Sequence, residues 1–403
     1  MPRRYALLVL LPICIVGTVL FIRHRPAPAP IRIGVVHSLS GTMSASERPL
    51  VDAVQMAVAE LNADGGVLGR PVEVELADSR SDADQAAREA ERLISEKHVS
   101  ALFACWTSAC RAAVRPVVER HRHLMVYPVQ YEGMEQSPNI LYTGLAPNQQ
   151  IVPGTHWMLE RYGKRVFLVG SDYRFPRTAN LIIRDLVEAR GGEVTGEHYL
   201  PLGSHDFEAV IAELRAARPV AVLNTLNGDS NAAFFAALVA AGLVDQPVMS
   251  FSVAEPEMRA WGGGRLTRHY AVWSYFQSVD TPQNRRFVAA WRARFGADRP
   301  TSDPVEAAYV GVKLWAQAVR DAGSDDPVRV NAALLHQSVG GPSSIEAVDA
   351  ATRHLWKRMR VGRALPDGQF EQVFASDYPL RPAPWPAYRS REAWQHMLEG
   401  GTP

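Results

Sequence analysis

The chain has 403 residues, 47% of them hydrophobic and 21% charged, with a formal net charge of +1. That balance excludes bulk electrostatic attraction to nucleic acid or an anionic membrane. The length exceeds what one hydrophobic core ordinarily supports, so two lobes are expected.

The first segment has the layout of a secretory signal. Arg3 and Arg4 precede an apolar run over 5–22, and Arg23-His24-Arg25 follow it. The run approaches the length of a membrane span. Ala27-Pro28-Ala29 would leave Pro30 at the first mature position, where cleavage is disfavoured. An uncleaved N-terminal membrane anchor is therefore expected, with an ordinary cleaved signal as the alternative. Residues 26–30 form a short stiff tether, so 1–30 is a signal or anchor segment and the remainder is extracytoplasmic or periplasmic.

From Ile31 strands and helices alternate. An apolar run predicts a strand over 31–38, and Leu50, Val51, Val54, Val58 and Leu61 predict a helix over 47–62. Strands at 72–76, 100–106 and 124–129 alternate with helices at 82–97 and 108–120. The rhythm restarts after Asn148, with strands at 166–170, 194–200, 220–225 and 248–251. Helices at 177–190, 207–217 and 232–241 separate them. A strand at 270–276 and helices at 282–295, 305–322 and 327–337 follow, and Gly262-Gly263-Gly264 reads as a turn. Past Gly341 the pattern weakens to one strand at 369–374 and an irregular Pro-rich tail over 377–403. Two sets of βα units imply an α/β fold of two doubly wound parallel-sheet lobes.

The cysteines are Cys14, Cys105 and Cys110, with no His pair at metal-ligand spacing beside them. No metal and no cofactor is expected. Cys105 should end a strand and Cys110 should point from the following helix, so free thiols are expected.

In such sheets a ligand sits beyond the carboxyl ends of the strands. That rule selects His37 to Thr42, Cys105-Trp106-Thr107-Ser108, and Tyr127-Pro128-Val129-Gln130-Tyr131-Glu132 in the first half. In the second half it selects Gly170-Ser171-Asp172-Tyr173, Asn227-Gly228-Asp229 and Ser252-Val253-Ala254-Glu255.

The strings HSLSGTMSASE (37–47), CWTS (105–108), YPVQYEG (127–133) and APNQ (146–149) resemble the urea and short-chain amide branch of the periplasmic binding proteins. That branch lies within the type I, leucine/isoleucine/valine-binding superfamily that serves ABC transporters. The likeness continues through Asp303-Pro304 and Asp367-Gly368-Gln369-Phe370. It implies a three-crossover hinge, with 31–147 plus 277–343 as lobe 1 and 148–276 plus 344–376 as lobe 2. It also implies a solute-binding protein, not an enzyme, that closes on urea or a short amide and presents it to ABC permease subunits. The alternative is a tethered sensor of the same ligands that works on a kinase or regulator.

The resemblance assigns roles as well. Thr107 and Ser108 would hold the ligand through a helix N-terminus and hydroxyls, and Trp106 would offer it an apolar face. Tyr127, Val129 and the adjoining Gln130 would meet it from the first lobe. Asp172, Tyr173 and Glu255 would approach from the second lobe and supply acceptors. Each has a structural role open to it: Thr107 as a helix cap, Trp106 as core, Tyr173 as packing between lobes, Glu255 as a cap. Glu132 reads as solvated or capping. No Gly-x-Ser-x-Gly elbow or phosphate-binding loop occurs. Cys105 with His37 and a carboxylate is the one conceivable nucleophile set, and a thiol at a strand end is usually structural.

Overall fold

A computed structural model describes residues 28–261 and 265–398. The segment at 5–22 and the glycine turn at 262–264 lie outside the described residues. Among the described residues no helix is long and apolar enough to cross a membrane.

The first sheet opens with β1 (Ile31–His37), β2 (Val72–Asp78), β3 (Leu102–Ala104), β4 (Met125–Tyr127) and β5 (Ile140–Tyr142), all parallel. Between them run α1 (Ser44–Ala63), α2 (Ala83–Ser95) and α3 (Ser108–Arg120). Crossing to the second lobe, α4 (Ile151–Tyr162) leads into β6 (Arg165–Ser171), α5 (Arg174–Ala189), β7 (Glu193–Leu200) and α6 (Glu208–Ala217). Then come β8 (Ala221–Thr225), α7 (Ser230–Ala240), β9 (Val248–Ser250), α8 (Glu255–Ala260) and β10 (His269–Trp273). The chain returns to the first lobe through α9 (Pro282–Phe295), α10 (Asp303–Ala322) and α11 (Pro327–Ala333). It adds β11 (Ser338–Gly340), β12 (Ile345–Asp349) and β13 (His354–Leu355) there, and finally contributes β14 (Arg360–Ala364) and β15 (Phe370–Ala375) to the second.

The strand orders are β11-β12-β13-β5-β4-β3-β1-β2 and β15-β14-β10-β9-β8-β6-β7. The two parallel-sheet lobes and three crossings are thus as expected, and each sheet ends in antiparallel strands. The third crossing differs. Because β12 and β13 extend the first sheet, the chain leaves lobe 1 between Leu355 and Arg360 rather than after 343. The boundary at 343 comes from the resemblance, and the two-residue β13 is too short to show a period that would correct it.

The packing follows from the pattern. Central strands such as β3, β4 and β6 are buried along almost their whole length because both faces are covered, whereas the edge strands β2 and β7 carry polar, partly exposed residues. In the second lobe Ile151, Ile182 and Ile183 cover one face of the sheet, while Phe207, Val210 and Phe234 pack in a separate cluster. Two helix starts show side-chain caps clearly: Asp82 accepts from the Gln85 amide, and Thr281 from the Asn284 amide, with Pro282 opening the helix.

The tail is not irregular. Residues Arg391–Leu398 form α12, whose wholly buried Trp394 joins the second-lobe core and donates from Nε1 to the Pro386 carbonyl at 2.8 Å. Arg389 fixes this segment by two hydrogen bonds to Asp185, at 2.6 and 2.7 Å.

Candidate functional site: the cleft between the lobes

The first-lobe wall is built where β1, β2 and β3 end side by side. Their register brings His37 level with Asp78, so the loops that follow emerge together. Ser38 donates from Oγ to Glu47 Oε1 at 2.7 Å and from its amide to Oε2 at 3.0 Å, and His37 Nδ1 lies 2.8 Å from the same Oε2. The Ser79 hydroxyl meets Ser38 Oγ at 2.9 Å. Asp78 organises the loop beneath. Burial opposes its charge, but hydrogen bonds from the Arg80 amide, the Ser40 hydroxyl and the Leu39 amide hold its carboxyl below the usual range.

The turn from β3 into α3 is covalently closed. Cys105 takes φ +72° and forms a disulfide with Cys110, with their Cα atoms 5.5 Å apart. This corrects the expectation of free thiols. A strand-end residue in the left-handed region turns its side chain back toward the first helical turn, which regular strand geometry does not anticipate. Thr107 is the N-cap, its Oγ1 accepting from the Cys110 amide at 3.2 Å.

Beneath that helix start lies a buried charged cluster. Ser108 Oγ donates to Glu132 Oε2 at 2.5 Å, and Arg111 reaches Glu132 at 2.9 Å and Glu135 at 2.8 Å. Glu132 is wholly buried, not solvated. Burial opposes the guanidinium charge of Arg111, yet Glu135 and Glu132 hold its pKa well above the ordinary value. Its plane lies over the Tyr127 and Tyr131 rings, 4.8 and 4.6 Å from their centroids.

The second lobe closes on this wall. Trp106 Nε1 donates to Asn227 Oδ1 at 3.2 Å, and Gln130 Nε2 to the Phe251 carbonyl and Ser252 Oγ, each at 2.9 Å. Arg174 pairs with Glu132 at 3.2 Å, and Thr42 bonds Asp229. Gly228, at φ +63°, lets the backbones meet, since a Cβ there would fall 2.9 Å from the Thr42 carbonyl oxygen. Beside these contacts, between the lobes, lies a cavity of about 90 Å³ lined by Ser38, Glu47, Ser79, Thr107 and Cys110 from one side and Tyr173 and Leu202 from the other, with Ser81 and Asp82 also on the lining. Burial, with Tyr127 and Glu132 nearby, pushes the Tyr173 phenol well above its usual range, so it stays protonated.

Of the nine expected site residues, Thr107 and Tyr173 line the cavity. Trp106 and Gln130 bridge the lobes instead, and Ser108 spends its hydroxyl on Glu132. The Tyr127 hydroxyl donates to the Trp106 carbonyl at 2.5 Å, and Val129 is buried with its carbonyl against Gly144. Two lie apart. Asp172 is 46% exposed and pairs with Arg177 at 2.6 Å, because its side chain turns along the outside of α5. Glu255 is wholly buried at the start of α8 and accepts from the Gln277 amide at 2.8 Å, facing the hinge. Burial pushes its carboxyl up to about 8. Ser79, Ser81 and Asp82 escaped sequence reasoning, although the strand-end rule applied to β2 would have selected them.

The model of the periplasmic binding protein domain matches residues 31–391. The chain belongs to the periplasmic binding protein family. Family membership implies an extracytoplasmic location. A Leu/Ile/Val-binding protein homolog 6 of Brucella melitensis is 24% identical over 339 residues, 81% of this chain and 85% of that protein. A limonene hydroxylase of Geobacillus stearothermophilus is 29% identical over 137 residues, and the matched part spans 32% of this chain and only 25% of that protein. Among solved structures, a solute-binding protein of an ABC transporter from Rhodopseudomonas palustris, in complex with 3,4-dihydroxybenzoic acid, superposes with a TM-score of 0.79 at 20% identity. The alignment covers 88% of this chain and 99% of that one. The likeness establishes the type I two-lobed fold. Among the described residues, no group of His, Cys, Asp and Glu is arranged to hold a metal ion.

Proposed function

We propose that this protein captures urea or a short-chain amide between its lobes and presents it to ABC permease subunits. The observation that carries the reading is the size and lining of the interlobe cavity. Its volume is about 90 Å³, whereas a cavity of about 150 Å³ is what accommodates a benzene ring. Dihydroxybenzoate and the branched-chain amino acids are both larger than benzene, so the closed cleft favours a smaller solute. The lining includes hydroxyls and the carboxylates of Glu47 and Asp82, and neither Lys nor Arg. That set disfavours an organic anion and suits a neutral molecule rich in N–H donors. Urea offers its N–H groups to the hydroxyl and carboxylate oxygens, and its carbonyl to the free amides at the start of α3.

Closure is a population shift. A solute that contacts both Thr107 and Tyr173 stabilises the form in which Trp106 meets Asn227 and Gln130 meets Ser252. The permease then recognises the joined lobes. In the cell this reading places the protein on the outer side of the inner membrane, held by the segment at 5–22. Calorimetric titration of the full-length protein with urea, acetamide, leucine and 3,4-dihydroxybenzoate tests the proposal. Saturable heat is expected with urea or acetamide only. Tight binding of leucine or the benzoate, with none for urea or acetamide, would refute it.

A further inference from the structure

The disulfide lies within the ligand wall itself. Cys105 and Cys110 are five residues apart and bracket Trp106, Thr107, Ser108 and Ala109. Thr107, Ala109 and Cys110 all line the cavity. Every other anchor of the turn is a hydrogen bond: the Trp106 carbonyl accepts from Tyr127, the Trp106 indole reaches Asn227, Ser108 reaches Glu132, and Thr107 caps the helix. Cys105 occupies a backbone conformation that a non-glycine residue seldom adopts. The surroundings must hold it there, and the bridge to Cys110 is the covalent part of that hold.

From this we infer that the Cys105–Cys110 bridge positions the start of α3 for the ligand and makes solute affinity depend on its oxidation state. This rests on the reading of the cleft as a solute site. With the bridge intact, the amides at the helix start and the Thr107 cap are held toward the cavity before the ligand arrives, so less ordering is left to occur on binding. A dithiol opens the bridge in two steps. Its thiolate attacks Cys110 Sγ, the Cys105–Cys110 bond breaks, and Cys105 leaves as a thiolate that takes up a proton. The second thiol of the reagent then closes on the mixed disulfide, releasing Cys110 as a thiol and leaving the reagent as a cyclic disulfide. Two electrons pass from the dithiol to the protein. Cys105 is then free to relax from positive φ, and the turn loses its fixed shape.

Access points the same way. Cys105 is wholly buried and Cys110 only 9% exposed. Tyr173 and Leu202 of the second lobe cover the cavity on which Cys110 sits. Reductant reaches Cys110 when the lobes part, and a solute that closes them shields it. By linkage, a ligand that prefers the bridged form resists reduction by the factor that reduction costs in affinity.

The test compares full-length protein before and after dithiothreitol, with thiols counted, by urea and acetamide calorimetry and by amide hydrogen exchange. Reduction is expected to raise Kd about tenfold and to speed exchange selectively over residues 106–111, with the remaining amides unchanged. Cys110→Ser should match the reduced protein and ignore the dithiol. A fully reduced protein with unaltered Kd would overturn the inference, as would a Cys110→Ser variant that still responds to dithiol. If the bridged protein binds neither urea nor acetamide, the ligand reading fails. Hydrogen exchange then decides the clamp alone: unchanged protection at 106–111 overturns it, and selective loss supports it.

Discussion

The cleft and the hinge are both buried and polar, and they solve opposite problems. In the hinge, Lys357 sits within 3.3 Å of Glu306 and 3.1 Å of Glu346, all three wholly buried. Asp303 Oδ2 accepts from the amides of Ser274 and Tyr275 at 2.8 and 3.0 Å and from the Ser274 hydroxyl. These groups tie the second crossing at Ser274 to the third at Lys357. In the cleft, the cavity wall is mostly uncharged, and its one buried carboxylate, Glu47, is spent on His37 and Ser38. Paired charge therefore holds the axis about which the lobes turn, while hydroxyls, helix amides and the carboxylates of Glu47 and Asp82 border the exchangeable solute. The hinge charges are paired with one another and desolvated once, on folding, whereas the two carboxylates on the cavity wall, Glu47 and Asp82, stand among hydroxyls.

The largest effect is expected where this contrast is sharpest. Burial opposes the Lys357 ammonium, yet Glu346 and Glu306 hold its pKa above the ordinary value. Removing it leaves two carboxyl groups buried without their cation. Lys357→Met should cost about 3–5 kcal/mol of stability, the usual penalty for breaking one side of a buried pair. Guanidinium unfolding is the right measurement, since urea is a proposed ligand. A loss below about 1 kcal/mol would mean that the hinge charges are not held as described.

Next comes the pH dependence of Glu255, which borders the hinge. Burial pushes its carboxyl from 4.5 up to about 8. The folded protein therefore keeps a proton that the unfolded chain has released across that interval. Its contribution is fully present below about pH 4.5 and is lost as pH rises through 8. Unfolding curves from pH 5 to 9 should show stability falling more steeply in the native protein than in Glu255→Gln. Parallel curves would remove Glu255 as the cause.

Thr107→Ala moves the test to the cleft. It removes a helix cap worth about 1 kcal/mol and a hydroxyl on the cavity wall, so urea affinity should fall roughly tenfold. Unfolding reads the first loss and calorimetry the second, and Thr107→Ser, which keeps both the cap and the hydroxyl, should recover both. A Ser variant that regains stability but not affinity would point to the methyl group as the ligand contact.

The legible parts of this molecule are those whose side chains repeat. Strands such as Val166–Gly170 are unbroken apolar runs because helices cover both faces, and α1 shows its apolar stripe directly. Strands as short as β13 have no period to read, so nothing in the pattern moves the third crossing from where the resemblance places it. The site divides the same way. Thr107 and Tyr173, which the strand-end rule selects, line the cavity, and Ser79, which follows β2, is equally accessible to that rule. The burial of Glu132 was hidden, because it depends on Arg111 standing one helical turn beyond the Ser108 end of α3 and facing the loop after β4. The disulfide was hidden too, since it requires a positive φ at a residue that composition gives no reason to place there.

The smallest expected effect belongs to a residue that sequence placed among the strongest. Asp172 directly follows β6, the position from which a second-lobe carboxylate would reach a urea N–H. Its amide donates to the Leu200 carbonyl at 2.6 Å, which orients the residue outward, and Arg177 one turn along takes its carboxylate. The hydrogen bond from Arg177 holds that carboxyl below its usual range, so a charge is present but spent. An exposed pair of this kind contributes about 0.2–1 kcal/mol. Asp172→Ala should leave urea affinity within about twofold and stability nearly unchanged, while Tyr173→Ala, the adjoining residue, weakens binding because its ring closes the cavity. A tenfold loss in Asp172→Ala would show that the side chain swings inward when solute binds, and the second-lobe wall would then have to be redrawn around a carboxylate.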